Sequence, residues 1–350
     1  MGRLPIFLSR GGRAAGLLAL CVLLVLSACS PSQLTETIAD RQEACAAISA
    51  AHEPVTGLMV QPDDGLEPFL REIDSAACGV DLSVYILSEP SIIDHLGQAA
   101  RRGVRVRVML EEHPFGGGGG QVETMATLEA LGIEVRWSGT QLRFSHAKYM
   151  VVDSTVAVVM NQNLTTSAFI SNREFAVITT ERAEVEQAQA VFDRDWDHLD
   201  IEDPDGPLIL SPSNSREWLL ALIASADRSI DLYAEVIRDG EIVTALGEAA
   251  QRGVTVRLIV DDSIDEGTQE RAIQLFDMGV EIRLASALYI HAKLMVIDGN
   301  VAVVGSQNPT PTSLDDNREV SMLVDDEAAL RRCALIFERD WQRAAPGAPS

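Results

Sequence analysis

Two short stretches of the chain carry nearly the same reactive residues. Ser145-His146-Ala147-Lys148 runs on to Asp153, and Ile290-His291-Ala292-Lys293 runs on to Asp298. Both read H-x-K-x-x-x-x-D. Asn163 and Asn308 follow, then Glu174 and Glu319 within Asn-Arg-Glu, and every matched pair lies 145 residues apart. A neutral imidazole can attack phosphorus, and an imidazolium can protonate a leaving oxygen. One histidine does not easily do both in one step, but two can divide the work. Lys148 and Lys293 lie two residues beyond their histidines, so on a strand they face the same side. Each offers a compact positive charge to a non-bridging phosphate oxygen. Asn163, Asn308 and Ser306 can add neutral donors. Glu174 and Glu319 each follow a histidine by 28 residues. A carboxylate on the second ring nitrogen would fix tautomer and orientation. Asp153 and Asp298 end apolar strands where a turn is expected, which is a structural role. A lone H-x-K would be a surface pair at a strand end. Two copies in one register need a shared purpose.

The elements around these residues repeat as well. Glu67 to Ala77 has the apolar spacing of a helix with one buried face. Val80 to Leu87 reads as a strand, Ile92 to Arg101 as a helix stopped by Gly103, and Val104 to Leu110 as a second strand. A glycine run, Gly116 to Gly120, precedes a helix over Val122 to Leu131 and a strand over Ile133 to Trp137. Glu112 to Phe115 and this run form a surface loop or a lip over the site. The His146 motif opens another strand, Val156 to Val159 and Glu174 to Thr179 follow, and Val185 to Trp196 closes the unit as a helix. An acidic connector spans 201–207. The order then recurs: Ser229-Ile230-Asp231-Leu232 matches Gly79 to Leu82 at an offset of 150, and Phe337 to Trp341 matches Phe192 to Trp196 at 145. This is one α/β unit duplicated, with halves at 66–200 and 208–345.

Composition bounds the rest. The chain has 350 residues, 47% hydrophobic and 23% charged, as a globular protein does. Arg3, Arg10 and Arg13 precede an apolar run, Ala14 to Ala28, that suits the core of a signal peptide over residues 1–28. Leu26-Ser27-Ala28-Cys29 resembles a bacterial lipobox, which implies lipidation at Cys29 and an exported lipoprotein of the cell envelope. Ser30 after the cysteine points to the outer membrane in a Gram-negative cell. Residues 29–65 then form a tether and a helix over 37–51. Removing the leader takes the net charge from −24 to −24 − 3 = −27. That field repels polyanions and disfavours an extended nucleic-acid groove. Cys45 and Cys78 are either a disulfide or, with Cys333, buried thiols. No C-x-x-C or His/Cys cluster marks a metal site. His52, His95 and His198 read as surface residues. Arg216 either reaches a phosphate or follows a helix start capped by Ser213 or Ser215.

His-x-Lys-x4-Asp-x6-Gly-Ser-x-Asn resembles the signature of the phospholipase D superfamily. His291, Lys293, Asp298, Gly305-Ser306 and Asn308 match it throughout. His146, Lys148, Asp153 and Asn163 match it too, with Met160-Asn161 in place of Gly-Ser and Asn161 as the phosphate-side donor. The resemblance covers roughly residues 66–342. It implies duplicated α-β-α layered halves about a pseudo-twofold axis, with both motifs in one site. It also implies a phosphohistidine intermediate on His146, acid catalysis by His291, and no required metal or other cofactor.

The activity expected on these grounds is phospholipase D-type hydrolysis of a phospholipid into phosphatidate and a free alcohol. It would be carried out by a monomer with an internal pseudo-dimer, anchored to its membrane. Three rivals share the motif. One is a cardiolipin-synthase-like phosphatidyltransferase, a class that usually carries membrane helices ahead of the catalytic halves. Another is a metal-independent nuclease, against which the acidic balance and 5% aromatic content argue. The third is a catalytically degenerate binding module.

Overall fold

Each half of the chain builds a mixed sheet in the same strand order. The computed structural model describes residues 56–116 and 120–347. In the first half, β1 (Thr56–Gln61), α1 (Glu67–Ser75), β2 (Gly79–Val84), α2 (Pro90–Arg101), β3 (Arg105–Leu110), α3 (Gln121–Ala130) and β4 (Glu134–Trp137) come first. Then follow β5 (Tyr149–Val152), β6 (Val156–Met160), α4 (Thr166–Ile170), β7 (Asn172–Thr179) and α5 (Arg182–Trp196). The second half has β8 (Ile209–Ser211), α6 (Ser215–Ser225), β9 (Ser229–Ala234), α7 (Gly240–Gln251), β10 (Thr255–Asp261), α8 (Glu266–Asp277) and β11 (Glu281–Ala285). It ends with β12 (Tyr289–Ile290), β13 (Lys293–Ile297), β14 (Val301–Gly305), β15 (Glu319–Val324), α9 (Glu327–Arg343) and β16 (Ala345–Pro346). The sheet orders are β1-β7-β6-β5-β2-β3-β4 and β8-β15-β14-β13-β9-β10-β11-β16. Strand for strand they correspond, apart from the added β16.

The chain forms these layers because its strands are apolar on both faces. Five of the six residues in β3 and all six in β2 are buried, as parallel strands covered on two sides must be. Helices α1 to α3 cover the outer face of the first sheet around Val80, Leu82, Ile92 and Leu128. Helices α6 to α8 do the same for the second around Ile230, Leu246 and Leu258. A third core joins the halves, with Tyr149, Phe175 and Phe192 packed with Tyr233, Val320 and Phe337. The repeated Phe-x3-Trp closes it twice: Phe192 stacks on Trp196 at 5.6 Å and Phe337 on Trp341 at 5.8 Å. Arg107 lies 4.9 Å over Phe192, and Arg257 lies 4.8 Å over Phe337.

Buried ion pairs cross between the halves, and they do so reciprocally. Arg173 of the first half binds Asp340 at 2.6 Å, and Arg318 of the second binds Asp195 at 2.8 Å. Arg318 also donates to the Ser211 carbonyl, and Arg173 to that of Gln61. A donates to B as B donates to A, which is the contact pattern a twofold axis requires. β12 pairs with β7 of the other half, and the Ser145–Arg318 bridge mirrors it.

Several sequence expectations shift. Thr56–Gln61 is an edge strand antiparallel to β7, so the first half begins ten residues before 66. Its six residues of mixed character, just after Pro54, carry no clear period, so only the pairing with β7 makes it a strand. Met160 opposes Ala176, whereas Gly305 opposes Ser321. A side chain at Gly305 would meet Ser321 Oγ at 1.9 Å. The Met160 departure is thus a volume exchange across the ladder. Ser213 and Ser215 do not cap α6; Asn214 precedes it without a side-chain cap, and Arg216 pairs with Asp239, Glu241 and Asp315 instead of facing a phosphate. Cys78 is disulfide-bonded and Cys333 is a buried free thiol. The signal segment, Cys29, Cys45, His52 and the helix over 37–51 lie outside the described residues.

Asp153 and Asp298 both adopt positive φ, 52° and 53°. Asp153 accepts the N–H groups of Ala77, Cys78 and Gly79 at 2.7–2.9 Å. Asp298 accepts those of Asp227, Arg228 and Ser229 at 2.7–3.0 Å. Each carboxylate therefore satisfies the entry to a central strand. Replacing Asp298 by alanine is expected to lower stability by about 1–3 kcal/mol, read as a fall in the urea midpoint; an unchanged midpoint would contradict this role.

Candidate active site

The segment just before β5 or β13 that carries each histidine is held by a carboxylate at the C-terminal end of β3 or β10. Glu111 accepts the Ser145 N–H at 2.8 Å, and Asp261, at the matching position, accepts the Ile290 N–H at 3.1 Å. With the strands so placed, the histidines turn toward the seam between the halves. There the pairing crosses. His146 Nδ1 lies 2.9 Å from both oxygens of Glu319, and His291 Nδ1 lies 2.8 Å from Glu174. The glutamate that follows each histidine in sequence serves the other one. Both carboxylates are fully buried. Each holds the proton of its partner at Nδ1 and leaves Nε2 toward the cleft.

Electrostatics separates the members. Burial pushes the His146 imidazole below its ordinary range, against the pull of Glu319 and with the help of Lys148. A neutral ring with its Nε2 lone pair available is what a nucleophile needs. Burial also works against the charge on Glu319, but His146, Lys148 and Ser306 outweigh it and hold its carboxyl low. Lys148 is lowered to about 7, chiefly by burial, with Glu319 opposing and Lys293 adding to the shift. The crossed contacts of His146 with Glu319 and of His291 with Glu174 bring both motifs to one site. Lys148 donates to the His146 carbonyl at 2.5 Å, and Lys293 to the His291 carbonyl at 2.6 Å. Each ammonium is thus folded back beside its histidine.

The remaining expected residues divide. Asn163 and Asn308, in the same register, both bury a side-chain oxygen without a protein partner. The Asn308 amide donates to Glu235 at 3.3 Å. Asn161 does not reach a phosphate. Its amide donates to the carbonyls of Lys293 at 3.0 Å and Gly305 at 2.5 Å, and its oxygen accepts from Phe175 N–H at 2.9 Å. Both donor hydrogens are engaged, so this buried residue ties the halves together. Ser306 is fully buried, accepts from the Val320 N–H at 3.1 Å, donates to the Val320 carbonyl at 3.4 Å and helps hold the Glu319 carboxyl low. Glu319 itself accepts from Ser313 and from Asn317 at 3.2 Å.

Two contributors were not foreseen. Tyr85 meets His146 edge-on at 4.6 Å, and Lys148 lies 5.1 Å from its ring centroid. Glu235, in the equivalent register 150 residues on, points a carboxylate at the other motif. It pairs with Lys293, lies 3.5 Å from His291 Nε2 and accepts from Asn308 at 3.3 Å. The available signal was a charged residue at the end of the apolar run Leu232-Tyr233-Ala234. Among the described residues no cluster of His, Cys, Asp and Glu is arranged to hold a metal ion.

Such a site can hold a phosphate between two lysines, attack it with one imidazole and protonate the departing oxygen with the other. A family model described as cardiolipin synthase, PLD-like domain, matches residues 69–196 and again 219–341. The chain belongs to the phospholipase D superfamily. It is similar to cardiolipin synthase from Staphylococcus aureus (strain Mu50 / ATCC 700699), 24% identical over 328 residues, covering 79% of this chain and 66% of the relative. Cardiolipin synthase A of Edwardsiella ictaluri (strain 93-146) is 23% identical over 330 residues, covering 80% and 68%. The chain therefore spans just under two thirds of the first relative's length. Among solved structures, phosphatidylserine synthase of Haemophilus influenzae Rd KW20 shares the fold, with TM-score 0.68 at 9% identity over 88% of this chain and 92% of that one. Polyphosphate kinase from Porphyromonas gingivalis does so with TM-score 0.67 at 16% identity, over 84% and 48%.

Two outcomes follow for this superfamily site. Glu319→Gln and Glu174→Gln should each reduce kcat by about 10²–10⁴, with smaller changes in KM, in steady-state assays. An attacking His146 must be unprotonated, and its proton affinity is lowered. The acidic limb of kcat/KM should therefore fall below pH 6.5, the ordinary imidazole value; a half-point above 6.5 would contradict the assignment.

Proposed function

We propose that this chain is a phosphatidyltransferase of the cardiolipin-synthase kind, moving a phosphatidyl group from one alcohol to another. The carrying observation is the crossed pair of histidines, one on each side of a single seam, each with a lysine and a buried carboxylate. In the first step His146 Nε2 attacks phosphorus, the bond from phosphorus to the leaving alcohol breaks, and His291 gives that oxygen its proton. In the second step His291 takes the proton back from an incoming hydroxyl. That oxygen attacks phosphorus, and the bond to His146 breaks. Lys148 and Lys293 neutralise the non-bridging oxygens throughout. Asn163 and Asn308 add neutral donors.

Water in place of the second alcohol would give hydrolysis, the reading the sequence motifs favoured. The match of both halves to a cardiolipin synthase model, and the named synthases among the relatives, support the alcohol instead. We place the substrate at a membrane surface, with Cys29 as a lipid anchor in the cell envelope. The described residues include no helix long and apolar enough to cross a membrane. A tether of this kind raises the effective concentration of site and lipid. The net charge of −24 argues against nucleic acid as substrate. The internal pseudo-dimer lets one chain act as a monomer without a cofactor.

The test is the full chain on phosphatidylglycerol vesicles in EDTA. Cardiolipin and free glycerol should form together, and His146→Asn or His291→Asn should reduce both by at least about 10³. Phosphatidate without cardiolipin would replace transfer by hydrolysis. Intact lipid beside nicked single-stranded DNA would overturn the reading.

A further inference from the structure

The pseudo-twofold symmetry of the site breaks at one residue that faces the cleft. Position 85 is a tyrosine, and its counterpart at 235 is a glutamate. Tyr85 offers His146 a neutral ring edge. Glu235 offers the second motif an anion, and one oxygen of that anion meets Lys293 Nζ, Asn308 Nδ2 and His291 Nε2. Those three groups are donors that the chemistry assigns to the phosphate, Lys293 and Asn308 to its non-bridging oxygens and His291 to the leaving oxygen. Glu235 thus stands where the substrate phosphate belongs. Only 19% of its side chain is exposed.

Building on the phosphodiester reading above, we propose that Glu235 is a specificity-determining residue that makes the site favour diester monoanions over monoester dianions. A phosphate entering the seat must take over the donors that Glu235 holds. The carboxylate then turns aside, but its backbone directly follows β9, so it stays within a few ångströms. Burial opposes its charge, yet His291 and Lys293 outweigh that and keep it ionised in the unoccupied site. The repulsion it exerts grows with ligand charge. A diester carries one negative charge. A monoester has a second pKa near 6 and carries close to two at pH 7.5. The diester therefore enters at the smaller cost, and a monoester product is expelled. For exchange between alcohols, diesters are both substrate and product, so the residue suits transfer and limits inhibition by phosphatidate.

The test compares binding of methyl phosphate and dimethyl phosphate by isothermal titration calorimetry at pH 7.5. It uses the full-length wild type, Glu235→Gln, and Glu235→Tyr, which repeats the residue of the first half. Thermal melts check that each variant is folded, and two dissimilar replacements guard against one failing. Both variants should bind methyl phosphate at least tenfold more tightly than wild type does, with dimethyl phosphate tightened several-fold less. Equal tightening of the two ligands, or none, would overturn the role of Glu235 and leave the phosphodiester reading intact. If neither ligand binds any of the three folded proteins, the reading and the inference fall together.

Discussion

Each histidine in this molecule depends on a carboxylate from the opposite half. His146 is held by Glu319 and His291 by Glu174. A buried carboxylate is costly unless paired, and a buried imidazole without a partner at Nδ1 has no fixed tautomer. Crossing solves both problems at the seam and nowhere else. It also means that neither half holds a complete reactive set. The reciprocal Arg173–Asp340 and Arg318–Asp195 pairs lie in the same seam. Removing one partner would leave a charge without compensation in a dry setting. The catalytic order and the docking of the halves thus rest on the same short segments, Asn172 to Glu174 and Asn317 to Glu319.

The departures from symmetry have local causes with chemical consequences. Met160 fills the room that Ser321 takes in the other half, which leaves Asn161 to bridge the seam by donating to Lys293 and Gly305 carbonyls. Tyr85 and Glu235 give the two histidines different neighbours. A nucleophile and an acid need different surroundings, so an entirely symmetric site would be a poor catalyst for a two-step displacement. The shared framework of Glu111 and Asp261, and of Asp153 and Asp298, remains symmetric because it only positions strands.

Much of this was legible in the residues. A fixed spacing of 145 carries the duplication, and apolar runs broken by glycine carry the layers. The crossing was not legible, because 28 residues between a histidine and a glutamate give separation along the chain and no direction in space. The role of Asn161 is hidden for a related reason: the motif fixes its place just after β6, but its partners, the Lys293 and Gly305 carbonyls, belong to the other half. Glu235 belongs to no repeated pattern, and its importance appears only when β9 and β13 lie side by side. Thr56–Gln61 needs β7 to become a strand. The choice between water and alcohol was invisible, since the same side chains serve both.

Both motifs together form one active site per chain. The most direct test of this is the stoichiometry of the covalent intermediate in a rapid-quench experiment with phosphorus-labelled phosphatidylglycerol, followed by peptide mapping. No more than one phosphoryl group per chain is expected, carried by the peptide that contains His146. Two groups per chain, one on each motif, would show two independent sites and contradict it.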